Sequence, residues 1–280
     1  MNNVEKLGYL TNDYKMFHII DREQKKFDFH YHDFNKIMIL LSGNINYSIE
    51  GKDYFLKPYD IILVNQGEIH RPSILDSSPY ERVIIYVSTK FLNTYSNADY
   101  DLKYCFERAK KEHSNVLRIP SIDKSKLYQV SQELEHSFTD NGFAKELYQK
   151  LLFLEFMIHL NRTALSNHIN YLDAVIGNEK LLQIIDYINE HLTEDITIDT
   201  LSSYFYLSRY YLMHFFKEET GYTIGKYITE KRLLLAKNLV QNGSSITQAC
   251  YQCGFKNYST FFRAFKKAYN TMPKNASFID

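Results

Sequence analysis

Two groups of side chains in this 280-residue chain have the types and spacing to do chemistry. The first lies in "GFKNYSTFFRAFKKAYN", Gly254 to Asn270, where Lys256, Arg263, Lys266 and Lys267 stand among Tyr258, Phe261, Phe262, Phe265 and Tyr269. A guanidinium offers paired donors that match the two acceptors of a guanine edge, whereas an ammonium is a point charge suited to phosphate. The second group is His30, His32 and His70. Imidazoles two residues apart on a strand share one face, as a metal site or a lined pocket requires. A third pattern, Cys250-Tyr-Gln-Cys253, has no second cysteine pair to complete a tetrahedral site, so it reads as packing.

Charge distribution separates these groups. The chain carries 33 Lys and Arg against 33 Asp and Glu, which argues against a protein that coats polyanions along its whole surface. From Ser208 to Lys274, however, 11 basic residues face three acidic ones (Glu218, Glu219, Glu230), a local balance of 11 − 3 = +8. That segment is the electrostatic candidate for a phosphate-rich partner. The opening "MNNVEKLGYLTNDYK" lacks the charged-then-apolar pattern of a signal peptide, and no apolar run approaches the roughly 20 residues that span a bilayer. A cytoplasmic protein without membrane contact is expected. Three cysteines, with Cys105 far from the other two, do not suggest a disulfide framework.

The elements that must position these groups differ along the chain. In the first third, "FDFHYH", "KIMILLSG", "INYSIEG", "KDYFLKPYD", "IILVNQGEIH" and "RVIIYVS" alternate with turn signals at Gly43-Asn44, Glu50-Gly51, Pro58-Tyr59 and Gln66-Gly67. This is the rhythm of an antiparallel barrel or sandwich. Two helices follow, over 122–139 and 143–162. Leu127, Val130, Leu134 and Phe138 mark a face of the first; Leu147, Leu151, Leu154 and Ile158 mark one of the second, broadened by Phe153, Phe156 and Met157. That broad face either packs on the barrel or pairs with a second subunit. Residues 164–178 read as a linker, and everything beyond reads as helical.

The helical part contains a repeat. "ITIDTLSSYFYLSRYYLMHFFKEETG" (196–221) aligns with "SITQACYQCGFKNYSTFFRAFKKAYN" (245–270): Thr197 with Ser245, Leu201 with Ala249 and Ser202 with Cys250, then, one residue later in register, Ser208 with Asn257, Leu212 with Phe261 and Phe216 with Phe265. Each copy has a capping residue, a short helix, a turn, a second cap and a longer helix, which is a helix-turn-helix twice over. Leu212, Phe216, Phe261 and Phe265 point inward. The opposite faces carry Arg209, Tyr210, Met213, His214 and Lys217 in one copy and Tyr258, Ser259, Phe262, Arg263 and Lys266 in the other. Between the copies, "TIGKYITEKRLLLAKNLVQNG" (223–243) is one helix ending at Gly243. At about 1.5 Å per residue it approaches the roughly 34 Å between successive major-groove segments on one face of DNA.

On these motifs, "LSRYYLMHFFKEETG", the spacer "KYITEKRLLLAKNLV" and "SITQACYQCGFKNYSTFFRAFKK…P", the last hundred residues resemble the DNA-binding domain of the AraC/XylS family of bacterial transcription regulators. Asn270 stands where the first copy has Gly221, and "PKNASFID" lacks the family's basic aromatic ending. The resemblance implies that Tyr210, Met213 and His214 meet bases from the first reader, and Tyr258, Ser259, Thr260 and Arg263 from the second. Arg209, Lys217, Lys256 and Lys266 then position the domain on phosphates. For His214, a solvated or phosphate-bound role competes with base readout. "HYHDFNKIMILLSG…GKDYFLKPYDIILVNQGEIHRP" resembles the cupin-like barrel that precedes this domain in many of these regulators, with His30, His32 and His70 in places comparable to cupin metal ligands. Where a cupin enzyme has its carboxylate, this chain has Asn35 and Lys36, so no metal or other cofactor is expected. The histidines are either hydrogen-bonded mouth residues or, with Tyr47, the lining of an effector pocket.

The expected class is therefore α+β: a cupin-like antiparallel barrel with two following helices (1–163, sensing an effector and dimerising), a linker (164–178) and an all-α double helix-turn-helix domain (179–280). The expected protein is a dimeric, non-enzymatic activator bound to double-stranded DNA, answering a sugar or related small molecule and acting on RNA polymerase. The rivals are a metal-dependent cupin enzyme fused to a DNA-binding module and a DNA-binding protein that needs no ligand.

Overall fold

The apolar runs of the first third form strands that face each other as two antiparallel sheets. The computed structural model describes residues 10, 12–23, 25–166 and 169–273; the ending "PKNASFID" from Lys274 onward lies outside them. The strands are β1 (Tyr14–Asp21), β2 (Asn35–Ser42), β3 (Ile45–Ile49), β4 (Lys52–Phe55), β5 (Ile61–Val64), β6 (His70–Ile74), β7 (Tyr80–Val87), β8 (Val116–Arg118), β9 (Asn170–Tyr171) and β10 (Ile176–Gly177). Among the described residues one sheet has the order β1-β7-β2-β5-β8-β9 and the other β10-β4-β3-β6.

Strand β2 shows why its sequence is continuously apolar. Met38 and Leu40 point between the sheets, against Tyr47, Tyr54 and Ile62, while Ile37 and Ile39 point the other way, into a layer of helices. Both faces are buried, so the alternation of a half-exposed strand is absent. That layer contains α1 (Thr89–Thr94), α2 (Tyr104–Lys111), α3 (Lys126–Ser137) and α4 (Lys145–Leu165). Helices α3 and α4 fall on the two segments expected to be helical, whereas the short α1 and α2, without a visible period, supply Phe91, Leu92, Cys105 and Phe106 to the same core.

The face of α4 that meets the core differs from the one its periodicity marks. Phe153, Phe156, Met157 and Leu160 are buried, whereas Leu147 and Leu151 are each 57% exposed and Ile158 is 41% exposed. The helix is apolar on two sides, and spacing alone does not rank them. Nor is 164–178 a free linker: α4 runs to Leu165, β9 pairs with β8, and β10 pairs with β4.

The remainder is helical: α5 (Glu179–Glu190), α6 (Ile198–Tyr204), α7 (Arg209–Thr220), α8 (Ile224–Gln241), α9 (Ile246–Gln252) and α10 (Tyr258–Tyr269). Thr197 and Ser245 cap α6 and α9 through reciprocal capping boxes with Thr200 and Gln248. Ser208 and Asn257 cap α7 and α10 by accepting from Tyr211 N and Thr260 N. The turn geometry is shared. Leu207 N–H donates to Ser202 O at 3.0 Å and Phe255 N–H to Cys250 O at 3.2 Å; Ser208 then follows Leu207 directly, whereas Lys256 intervenes before Asn257. Lys256 is thus the extra residue of the second copy. Gly221 and Asn270 close α7 and α10 in the same left-handed conformation, φ 75° and 50°.

Candidate nucleic-acid interface

Helices α7 and α10 are built alike around buried pairs. Leu212 and Phe216 sit in a core with Leu201, Tyr222 and Tyr227; Phe261 and Phe265 sit in another with Leu233, Ala249 and Cys250. Burial raises the pKa of Cys250, and pushes that of Cys253 up to about 12, so both thiols stay protonated and inert. The opposite faces are open: Arg209, Tyr210, Met213, His214 and Lys217 on α7, and Tyr258, Ser259, Thr260, Arg263 and Lys266 on α10, with Phe262 half-buried and Lys256 exposed just before the cap.

Local contacts shape what these groups can offer. His214 Nδ1 donates to Tyr210 O at 2.9 Å, and the two rings lie 3.9 Å apart; Nε2 is left as an outward acceptor. Arg263 Nε donates to Ser259 O at 3.3 Å, anchoring the stem and leaving both terminal nitrogens for a base edge. Arg209 pairs with Asp199, and Lys256 with Asp195 at 2.5 Å. These pairs are exposed, and such pairs contribute about 1 kcal/mol or less, so a phosphate can share or replace the acid.

The +8 balance of this region is not all outward. Lys231 pairs with Glu50 at 3.0 Å, Lys237 with Asp33 at 3.3 Å, and Arg232 donates to the carbonyls of Leu192 and Glu194 at 2.8 and 2.5 Å. Lys231, Arg232 and Lys237 are therefore turned inward to protein partners.

Two of those partners belong to the barrel. Tyr227 Oη donates to Glu50 Oε2 and Tyr31 Oη to Glu230 Oε2, each at 2.6 Å. The barrel's Gly67 lies so close to Leu234 of α8, and Gly51 so close to Leu181 of α5, that a Cβ at either would overlap the leucine side chain. The spacer helix is thus docked on the barrel. None of Tyr31, Asp33 or Glu50 stood out in the sequence. Alternation offered a signal: if His30 and His32 point inward, Tyr31 and Asp33 must point out.

Those histidines do come together. The ligand nitrogens of His30, His32 and His70 lie within 4.8 Å of one another, but the cluster is closed, at 8%, 3% and 0% exposure, with Tyr47 fully buried beside it. His30 and His70 donate through Nδ1 to Asp28 O and Glu68 O, both at 2.9 Å. Lys36 Nζ donates to Tyr47 Oη at 2.9 Å and to His70 Nε2 at 3.3 Å. Burial, aided by the Lys36 charge, lowers the pKa of His30 to about 4 and that of His70 well below its usual value; burial and Arg82 bring Lys36 to about 7. Three imidazole nitrogens this close could serve a metal, but the Lys36 ammonium donates to His70 Nε2, the lone pair a metal would take. Nor do these four residues line an open pocket: they form a packed interior.

The model of an AraC-like ligand binding domain matches residues 14–155, and that of a helix-turn-helix domain matches residues 201–276. The HTH-type transcriptional activator RhaS of Escherichia coli (strain SMS-3-5 / SECEC) is 23% identical over 261 residues, 90% of this chain and 88% of RhaS. Among solved structures, ToxT from Vibrio cholerae O395 is 17% identical and covers 95% of this chain and 98% of its own, with a TM-score of 0.38. The C-terminal domain of the response regulator yesN from Fusobacterium nucleatum is 31% identical over 36% of this chain and 99% of its own, with a TM-score of 0.34.

Proposed function

We propose that this chain, which belongs to the AraC family of transcription regulators, is a sequence-specific activator whose N-terminal unit senses a small molecule and passes the outcome to two reader helices. The observation that carries this reading is the pair of helices α7 and α10, capped in the same geometry, each with an aromatic or aliphatic inner pair and an exposed polar, basic outer face. In this reading Tyr210, Met213 and His214, then Tyr258, Ser259, Thr260 and Arg263, meet base edges, and Arg209, Lys217, Lys256 and Lys266 hold phosphates. Activation is taken from the name of RhaS, and implies RNA polymerase as the partner of the DNA-bound form. A cytoplasmic site of action follows from the duplex partner, and among the described residues no helix is long and apolar enough to cross a membrane. A non-enzymatic role is supported by the regulators this chain resembles.

The test is a salt titration of the full chain on duplex DNA. Each cation that neutralises a phosphate steepens the decline of log affinity with log salt by about 0.9. The four phosphate cations assigned here, Arg209, Lys217, Lys256 and Lys266, give a slope of about −4 per chain, less steep than the +8 balance of the sequence would suggest. Affinity that does not change between about 50 and 200 mM salt would rule the reading out.

We also assign α4 as the dimer seam. Leu147, Leu151, Leu154 and Ile158 step by four, three and four along its outer side, the spacing of a two-helix seam, and three of them are exposed in the single chain. Leu151→Glu is expected to convert a dimer to a monomer in sedimentation velocity and to abolish the concentration dependence of the melting temperature. An unchanged sedimentation coefficient would move the seam elsewhere.

A further inference from the structure

We infer that residues 192–199, between α5 and α6, clamp the two helix-turn-helix units together and so set the spacing of the two DNA segments that α7 and α10 meet at once. This rests on the proposal above that both helices read one duplex, and it names the residues that hold them in register: Thr193, Arg232 and Gly254.

The two units have separate cores. The first takes Ile224, Tyr227 and Ile228 from the start of α8, the second takes Leu233 and Ala236 from its later half, and the two clusters have no buried residue in common. A shared helix fixes the distance between two cores, but the second unit can still swing about α8 unless something else meets it. Residues 192–199 do. Leu192, Ile196 and Ile198 pack on the first core, and the same stretch touches both the spacer and the second unit. Arg232, midway along α8, closes its guanidinium on two carbonyls, Nε donating to Leu192 O at 2.8 Å and Nη2 to Glu194 O at 2.5 Å. Two donors in one rigid plane set direction as well as distance. Asp195 pairs with Lys256 in the second turn, and Asp199 with Arg209 at the start of α7.

The turn residues show how closely the second unit is held. Tyr206 and Gly254 occupy the same place in the two turns, both left-handed, with φ 54° and 89°. Tyr206 is 95% exposed, so the turn accepts a side chain in that conformation where space allows. At Gly254 space does not allow it: a Cβ there would lie 2.9 Å from Thr193 Cα and Thr193 O and 3.0 Å from Arg232 Nε. The second turn therefore rests on the backbone of the clamp. Lys256, by which that turn exceeds the first, reaches the same stretch. Both differences between the two turns fall where the second meets residues 192–199.

Inserting one base pair between the two segments moves one of them about 3.4 Å along the duplex and about a tenth of a turn around it. Readers held rigidly follow only by deforming the DNA or losing contacts, whereas a loosened pair follows by swinging. Arg232 acts here as a positioning residue, with its guanidinium directed at protein carbonyls.

The experiment uses the full chain and a duplex that it selects from a random-sequence library. The stretch between the two footprinted segments is lengthened and shortened by one and two base pairs, and affinities are measured for the parent, Arg232→Ala and Gly254→Ala. The parent should lose about tenfold per base pair of change, the scale of one lost base contact. Arg232→Ala should bind the selected duplex about three- to tenfold more weakly, because a swinging second reader has a lower effective concentration, yet lose only about twofold on a change of spacing. Its salt slope should equal that of the parent. A merely structural loss would weaken every duplex by the same factor and leave the spacing profile steep. Gly254→Ala wedges the same joint apart and should flatten the profile likewise. If it does not fold, Arg232→Ala decides, since Glu194 is exposed and Leu192 half-buried, so that water reaches the carbonyls it releases. A profile as steep in folded Arg232→Ala as in the parent, or a parent indifferent to spacing, would overturn the clamp and leave α8 alone between the readers. A shallower salt slope in Arg232→Ala would put that side chain on a phosphate and overturn it too. A parent that selects no duplex refutes the reading of α7 and α10 as DNA readers, and the clamp with it.

Discussion

Phe265→Ala is expected to cost about 3–5 kcal/mol of folding stability, measured by chemical denaturation, while Arg263→Ala, two residues away, leaves stability unchanged. Phe265 is fully buried, with its ring 5.6 Å from Phe261 and 4.6 Å from Tyr269, and its neighbours come from α8 and α9 as well as from its own helix. Those three helices cannot all close on the space its ring leaves, so the cavity term adds to the lost burial. Arg263 faces outward, and its loss should appear only in binding: about 1–3 kcal/mol and a relaxed preference at one base pair. Lys266→Ala should weaken all sequences alike and flatten the salt slope by about one. Titrations against an operator and its single-base changes separate the three. If Phe265→Ala folds normally and alters base preference, while Arg263→Ala alters none, the inner and outer faces of α10 have been exchanged.

The contrast between those faces was legible because it is local. The caps Ser208 and Asn257, the inward pairs four residues apart, and the left-handed Asn270 in place of Gly221 all follow from spacing within one turn or two of helix. The failures share another property. In α4, the stripe of Leu147, Leu151 and Ile158 was as periodic as the buried set of Phe153, Phe156 and Leu160, and only the fold shows which side meets the barrel. Helices α1 and α2 have six and eight residues, too few turns for a period to stand out. The docking contacts were least visible: Tyr31 and Glu230 are 199 residues apart, and Lys237 and Asp33 are 204 apart. His30 and His32, candidates for chemistry by spacing, pack inside the fold, while Tyr31 and Asp33, between and after them, reach the spacer helix.

That inversion makes Asp33 the most informative position in the barrel. Asp33 and Lys237 are each about 3% exposed by side chain and join the barrel to α8 at 3.3 Å, and the Lys237 ammonium lies 5.7 Å from the ring centre of Tyr269, the last residue of α10. Asp33→Ala deletes the carboxylate and leaves the ammonium in its buried place, a change that costs about 3–5 kcal/mol when one partner of such a pair is lost. The same change paired with Lys237→Met should recover most of that loss, since an apolar chain of similar length fills the space without a charge. Denaturation of the full chain tests both. The single variant should also separate the unfolding of the barrel from that of the helical part into two transitions, because the docked spacer then loses a buried polar attachment and keeps Tyr31 to Glu230 and Glu50 to Tyr227 and Lys231. A single variant as stable as the parent, unfolding in one step, would mean that the buried pair does not hold the spacer helix, and that docking rests on the apolar contacts of Gly67 and Ile69 instead.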